Sequence, residues 1–502
     1  MINFKSKVIK GTLILTISSL ASRLLGFLYR IFLSNLIGAK GMGIFQLIFP
    51  VIGFCVAISC GGIQIAVSRF VAEKKNKKDQ FVVLISSIIM SLTMSLIMAI
   101  IVYTCSKSIS VNIIHNIECI SMLKLASFTI PLTALHSCIV GYFLGLRKTF
   151  IPAISTIVEQ IVKVISLYII GIVLIGNHIR ITPNIAVYSM IISELFGVIT
   201  CLFGIFVDKL YRFKIKELLS TIKATISVSY ILTANKVMLT FLQCFEAILL
   251  PIVLAKSGMS SNSVLSLYGI LTGMALPVIT FPSAINTAMS TMVLPTVAKE
   301  KNSEHSSVGK TTELTIWFSC VSGIFCIGLF LCFGDFIGGQ VFGQPQAGIY
   351  IKILSWLCPF MYLSMSMGSI LHGLGKTTTA FVHNVIGIVI KLGFLWFLVP
   401  TVGINGYMWG LLLSNIVVTG LHCYYVHKAV RFSFNAVNCL IKPAIWVICG
   451  ILAKLLIENI LGFSNNTSKI FIFIKSGSGA ASMCVIFLFA LFKEYQYIKK
   501  GL

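Results

Sequence analysis

Residues 22–32 read SRLLGFLYRIF and sit inside an apolar run that extends from about residue 11 to residue 37. A run of that length can cross ~30 Å of hydrocarbon, which takes roughly 20 helical residues. Yet it carries two arginines, Arg23 and Arg30. Seven residues apart, they project from nearly the same side of a helix, with Gly26, Phe27 and Ser34 alongside. A charge at bilayer depth costs about 2.5–3.5 kcal/mol on insertion scales, so a lipid-facing pair would be hard to keep. Both are therefore expected to face the protein interior.

The same apolar signal recurs along the chain. Of the 502 residues, 57% are hydrophobic and only 11% charged, where soluble domains carry roughly a quarter charged residues. Comparable runs occur at 11–37, 43–69, 81–104, 121–145, 151–176, 185–207, 224–254, 265–297, 312–334, 348–372, 379–400, 404–427, 440–461 and 470–492. The expected fold is an all-α polytopic membrane protein with 14 transmembrane helices. Lys and Arg test the count, because cytoplasmic connections carry their excess. The termini and even-numbered connections hold 24 of them, and the odd-numbered connections only five, Lys40, Lys107, Arg180, Lys256 and Lys469. Both termini are thus expected in the cytoplasm, with the chain in the cytoplasmic (inner) cell membrane. The first run follows three lysines, as a signal peptide would, but it is too long and lacks a small-x-small cleavage site, so it reads as a retained helix 1.

A net charge of +25 would suit nucleic acid if it were gathered on one face. Here it is spread over short connections beside the spans, which makes anionic lipid headgroups the expected partner and excludes nucleic acid. Fifteen cysteines fall mostly within spans, where they behave as small apolar residues. No Cys or His pair has metal-ligand spacing, so no metal site is expected.

Two halves of the chain echo each other. GLRKTFIPAISTIVEQIVKV (145–164) aligns with GLGKTTTAFVHNVIGIVIKL (373–392), and VAEKKNKK (71–78) with VAKEKNSE (297–304). Ala39-Lys40 falls on Ala255-Lys256. The near-constant shift implies two parallel six-helix lobes plus two C-terminal helices, with a cavity between the lobes. The expected domains are residues 1–207, a basic linker at 208–223 with the character of an interfacial helix, 224–427, and 428–502. The connections are short and hold no phosphate-cradling loop, nucleophile elbow or paired carboxylates, so an enzyme is not expected.

Arginine stays protonated and forks onto phosphate oxygens, so Arg23 and Arg30 in a cavity suit an anionic, phosphorylated substrate. The alternative is a structural ion pair with an acidic neighbour. Under the repeat shift Arg30 falls on Glu246, which suggests either a pair that forms in one state or a coupling site at Glu246 for a monovalent cation or proton. Glu159 and Lys163, four apart, either neutralise each other or line the cavity. Glu194, Lys352 and Lys391 are further charges within spans, while His136, His372, His383 and His422 look isolated. Pro131, Pro251, Pro277, Pro282, Pro295 and Pro359 also lie within spans, where proline permits either bending during transport or a static kink.

Four stretches carry a family resemblance: SRLLGFLYRIFLSNLIGAKGMGIFQLIFP (22–50), GGIQIAVSRFVAEK (61–74), GYFLGLRKTFIPA (141–153) and FPSAINTAMSTMVLPTVAKE (281–300). With them the chain resembles, over essentially its full length, the polysaccharide-exporter branch of the multidrug, oligosaccharidyl-lipid and polysaccharide flippase superfamily, within it the stage V sporulation protein B family. The resemblance implies rocking lobes that carry a polyprenyl-diphosphate-linked saccharide outward, with lipid-linked peptidoglycan precursor, lipid II, for spore cortex or cell wall as the leading cargo. It implies that Arg23 and Arg30 hold the diphosphate, that no cofactor is needed beyond a coupling cation or the membrane potential, and that cell-wall synthesis proteins are candidate partners. Where lipid II flippases of that branch carry an acidic-basic pair and a later Glu before the Phe-Pro of helix 8, this chain has Leu276, Pro277 and Thr280, and Cys55 and Cys60 occupy the middle of helix 2 in place of an arginine. The resemblance therefore carries neither a full cationic site nor a sugar. Two rivals stand beside it: a cation-coupled drug or metabolite antiporter relying on Glu246 or Glu194, and a membrane glycosyl polymerase. The latter would need catalytic acids in a large outer loop, and the longest odd-numbered loop, CSKSISVNIIHNIECI (105–120), has only Glu118.

Overall fold

The structure is a computed structural model that describes residues 2–207, 215–300, 308–460 and 469–501. Among the described residues there is no strand. The helices of the first half are α1 (Ile2–Cys60), α2 (Ile63–Glu73), α3 (Lys77–Ser108), α4 (Cys119–Ala126), α5 (Thr129–Gly145), α6 (Phe150–Gly176), α7 (Asn184–Val207), α8 (Ile215–Ala255) and α9 (Ser261–Gly269). Those of the second are α10 (Leu276–Thr280), α11 (Ser283–Glu300), α12 (Val308–Phe336), α13 (Pro345–Leu354), α14 (Cys358–Gly373), α15 (Thr377–Phe397), α16 (Val399–Val402), α17 (Ile404–Val430), α18 (Lys442–Ile460) and α19 (Lys469–Gly501).

Thirteen segments of the described residues are long and apolar enough to span a bilayer, one fewer than the fourteen expected. The difference lies at the start: Leu13–Glu73, 61 residues, contains the runs 11–37 and 43–69. They meet without a loop at Gly38, whose φ of 70° and ψ of −179° break the helical path. That region of backbone space is essentially open only to glycine. The expected single helix 8 (265–297) is instead α9, a π-helical stretch Ile270–Ala275, α10 and α11. Pro277 and Pro282 each lack an N–H, and the chain turns at Phe281–Pro282, after which Ala284 and Ile285 donate three residues back.

By proximity the chain divides into two compact units, Met1–Gly273 with Leu395–Ile404, and Met274–Phe394 with Asn405–Leu502. In the first, α1 packs against α6, α8 and α9, α5 against α2 and α3, and α6 against α7. Val67, Val71, Leu84, Ala134, Ile139 and Phe143 form part of its buried core. The basic linker expected at 208–223 falls partly outside the described residues, at 208–214, while 215–223 are the first turns of α8. Because α8 and α9 lie on α1, the proximity boundary falls after residue 273 rather than at the linker. In the second unit α11 and α12 pack on α14, α12 also meets α13 and α18, and α18 pairs with α19.

Backbones approach closely between α1 and α9. A Cβ on Gly43 would strike Leu265 O, and one on Gly269 would strike Ala39 O. Small residues at a crossing let helices in lipid come close enough to gain dispersion contacts that the lipid would otherwise make. Phe203, Phe206, Val389 and Phe489 stand exposed on the outside of their helices, as a lipid-facing surface requires. At the helix ends Lys40 pairs with Glu118 at 2.9 Å and Lys442 with Glu494 at 2.6 Å. Each pair joins residues that the Lys and Arg distribution assigns to one side of the membrane.

Candidate functional site

Helix α1 brings its arginines into the first unit at two different places. Arg23 is half-buried and lines a cavity of about 450 Å³ together with Ser18, Ser19, Ser22, Gln64, Thr156 and Gln160. One helix supplies the serines and the guanidinium, because Ser19, Ser22 and Arg23 recur at i, i+3 and i+4. Helix α2 supplies Gln64 and helix α6 supplies Thr156 and Gln160. Leu15, Val140, Leu144 and Pro152 complete the wall. The volume is in the range of small-molecule sites, ~300–1,000 Å³.

Arg30 does not line this cavity. Its Nη1 is buried with no hydrogen-bond partner. The preceding residue, Tyr29, is 4% exposed and shares a hydrogen bond of 2.9 Å with the Ser189 hydroxyl. No Arg30–Glu246 ion pair is present among the described residues; Glu246 is itself buried on α8, within electrostatic reach of Tyr268. Nor does the Glu159–Lys163 pair close within α6. The Lys163 ammonium lies over the Tyr29 ring instead, 5.0 Å from its centroid, where the ring's quadrupole attracts a cation.

Glu159 turns toward other partners. Its Oε1 accepts from Gln160 Nε2 at 3.0 Å, and its Oε2 lies 3.9 Å from His136 Nδ1. Glu194 Oε2 is 3.8 Å from the same nitrogen. Donor atoms of His136, Glu159 and Glu194 all fall within 4.8 Å of one another. Gln160 thus touches this cluster on one side and forms the wall beside Arg23 on the other. Lys352 leaves the set of mid-span charges, since it pairs with Asp335 at 2.7 Å.

The histidines that look isolated in sequence are not isolated in space. His136 joins the two carboxylates, and His383 and His422 pack against each other with tilted rings, centroids 5.0 Å apart, in the second unit. His136, Glu159 and Glu194 come from α5, α6 and α7, so no local spacing flags them. Gln64 and Gln160 also went unmarked. Their signal is an amide inside an apolar helix, which must find a hydrogen-bond partner or a polar cavity.

The chain matches the polysaccharide biosynthesis protein family over residues 8–301 and the MatE family over residues 238–397. Stage V sporulation protein B of Bacillus subtilis (strain 168) is 24% identical over 98% of this chain and 97% of its own length. The lipid II flippase MurJ of the same organism is 24% identical over 77% of this chain and 76% of its own. Among solved structures, a lipid II flippase MurJ in an inward closed conformation superposes with a TM-score of 0.71, at 14% identity, covering 97% of this chain and 99% of that one. The resemblance expected from residues 22–50, 61–74, 141–153 and 281–300 thus meets relatives of the same kind, and the fold is theirs. The chain is a multi-pass membrane protein of the polysaccharide biosynthesis protein family.

Proposed function

We propose that the protein is a flippase that moves a polyprenyl-diphosphate-linked saccharide across the cytoplasmic membrane, with lipid-linked peptidoglycan precursor as the cargo. The coarser statement, a transporter of this superfamily rather than an enzyme, follows from the family match together with relatives named as flippases. The observation that carries the finer reading is the Arg23 guanidinium on the wall of a polar cavity inside an apolar helix bundle. An always-charged fork at that place binds a diphosphate by charge-assisted hydrogen bonds. The serine hydroxyls and the two amides around it offer neutral donors and acceptors to a sugar. On this reading the membrane potential or a monovalent cation drives transport, both termini lie in the cytoplasm, and the prenyl tail stays in lipid.

Translocation of fluorescent lipid II across proteoliposomes containing the purified protein tests the proposal. Each charge-assisted hydrogen bond is worth ~1.5–3 kcal/mol, so Arg23→Ala should slow transport about 10- to 150-fold. Arg23→Lys, which keeps the charge but loses the fork, should fall between. Absence of flipping by folded protein excludes this cargo, and flipping unchanged in Arg23→Ala removes Arg23 from the site. The MatE match over residues 238–397 favours a second reading, a cation-coupled drug or metabolite antiporter. That antiporter reading requires transport that follows an imposed ion gradient and is indifferent to Arg23→Ala.

A further inference from the structure

We propose that His136, Glu159 and Glu194 form a binding site for a divalent transition-metal cation inside the first unit. The site goes beyond the flippase reading and does not depend on it. Three helices deliver one ligand each: α5 an imidazole, α6 and α7 a carboxylate.

The Ser155 hydroxyl donates to Pro152 O at 3.0 Å, so its oxygen is left to accept from His136 Nε2, 3.2 Å away. This network places a hydrogen on Nε2, which leaves Nδ1 as the ligand atom. Nδ1 faces Glu159 Oε2 and Glu194 Oε2, 3.9 and 3.8 Å away. With the ring neutral, three acceptors face one another. Those separations exceed the ~3.2 Å limit of an N–H···O bond, so no shared proton closes the cluster. Glu194 Oε2 is buried with no hydrogen-bond partner, and Lys163, the nearest candidate counter-ion on α6, directs its ammonium to the Tyr29 ring. Buried acceptors left in this state are costly, and a cation at their centre satisfies all three at once.

Geometry and chemistry narrow the cation. Ligand bonds of ~2.1 Å in a tetrahedral site put neighbouring donors roughly 3.4 Å apart. The two His136–carboxylate separations, 3.9 and 3.8 Å, need a contraction of about half an ångström, and all three donors, within 4.8 Å of one another, are brought closer by side-chain torsions. One imidazole nitrogen with two carboxylate oxygens suits zinc, manganese or cobalt, whereas calcium and magnesium take oxygen ligands. Two ligands are already oriented from outside, His136 by Ser155 and Glu159 by Gln160, the arrangement that metal sites use to fix their ligands. Gln160 also lines the Arg23 cavity, which places the cation one side chain away from the anion-binding wall.

The test uses the full-length protein in detergent, stripped with a chelator and with its accessible thiols blocked by N-ethylmaleimide, titrated with cobalt(II). The expected result is one cobalt per chain, with visible d–d absorption. His136→Asn and Glu194→Gln should each abolish the signal, and Ser155→Ala should weaken binding about 10- to 100-fold as loss of an outer-shell partner does. Zinc should raise the thermal unfolding midpoint of the wild type and leave that of Glu194→Gln, a near-isosteric change that keeps the fold, where it was. No saturable binding by the wild type overturns the proposal. Binding unaffected by His136→Asn and Glu194→Gln overturns it too, by placing the metal elsewhere. Because the readout is metal rather than transport, failure here leaves the flippase reading intact, and failure to flip leaves this site intact.

Discussion

Replacing Gly43 with alanine should destabilise the protein, although glycine-to-alanine changes inside helices ordinarily do the opposite. Alanine in a helix interior is favoured over glycine by ~0.8–1 kcal/mol. At Gly43 the new methyl would press on Leu265 O, with Leu265 C at 2.8 Å and Cα at 3.3 Å. Every one of those atoms is backbone, so no rotamer change relieves the clash and α1 and α9 must move apart. Overpacking of this kind costs ~1–3 kcal/mol, and its unrelievable nature puts Gly43 in the upper part of that range. The net loss is then about 1–2 kcal/mol after the helix-propensity gain is subtracted. Gly53, on the same helix, has nothing within 4 Å of the same built atom; Gly53→Ala should therefore leave stability unchanged or raise it by up to ~1 kcal/mol. The assay is a thermal ramp in detergent read by a thiol-reactive fluorophore, which reports opening because Cys55, Cys60, Cys119, Cys138 and Cys201 are buried. A Gly43→Ala midpoint equal to or above that of Gly53→Ala would refute the backbone contact between α1 and α9.

Other consequences are simpler to state. Arg30→Met removes a buried Nη1 that has no partner, and exchanging an unsatisfied donor for an apolar group of similar shape is neutral or stabilising; the same thermal ramp should show a midpoint at or above wild type, and a large drop would reveal a partner. Gly38→Ala forces a side chain onto φ 70°, ψ −179° and should cost ~1–3 kcal/mol, read as a lowered midpoint. Cys105, exposed near the end of α3, lies in a connection assigned outside; in intact cells it should react with a membrane-impermeant maleimide, whereas Cys138 and Cys201 should react only after denaturation. Labelling of Cys105 only in inside-out vesicles would invert the topology.

How far the sequence reveals this molecule depends on the range of the interaction that decides each feature. Span positions depend on apolar length alone, so the runs from 81–104 to 470–492 recur in the structure with shifted ends. Gly38 shows the limit: a run of apolar residues does not say whether two spans are joined by a loop or by one glycine with positive φ. The break in helix 8 was foreshadowed by Pro277 and Pro282, but the π-helical stretch Ile270–Ala275 has no composition of its own. Within the site, Arg23 is legible because a charge in an oily helix must have a destination. The seven-residue spacing that put Arg30 on the same face could not say that only one of the two reaches the cavity, since a cavity is made by what the neighbouring helices leave unfilled.

The acidic partners were harder still. Glu159 and Lys163, at helical spacing, invited an intrahelical pair, yet such a pair stabilises an exposed helix by only ~0.2–0.5 kcal/mol. A ring face for the ammonium and a neighbouring amide for the carboxylate are enough to outweigh it, and Tyr29 and Gln160 supply them. With the Lys163 ammonium over the Tyr29 ring, Glu159 and Glu194 lie beside a histidine whose Nε2 is engaged by Ser155. Residues 136, 159 and 194 are brought together only by the packing of α5, α6 and α7, and nothing in their sequence spacing distinguishes a ligand set from three unrelated buried side chains. The first unit therefore holds two charged features joined by one amide: a guanidinium facing a cavity and a histidine–carboxylate cluster behind it. A substrate anion at Arg23 and a cation at the cluster would each lower the electrostatic cost of the other across Gln160, so binding at either place should strengthen binding at the second by the same factor.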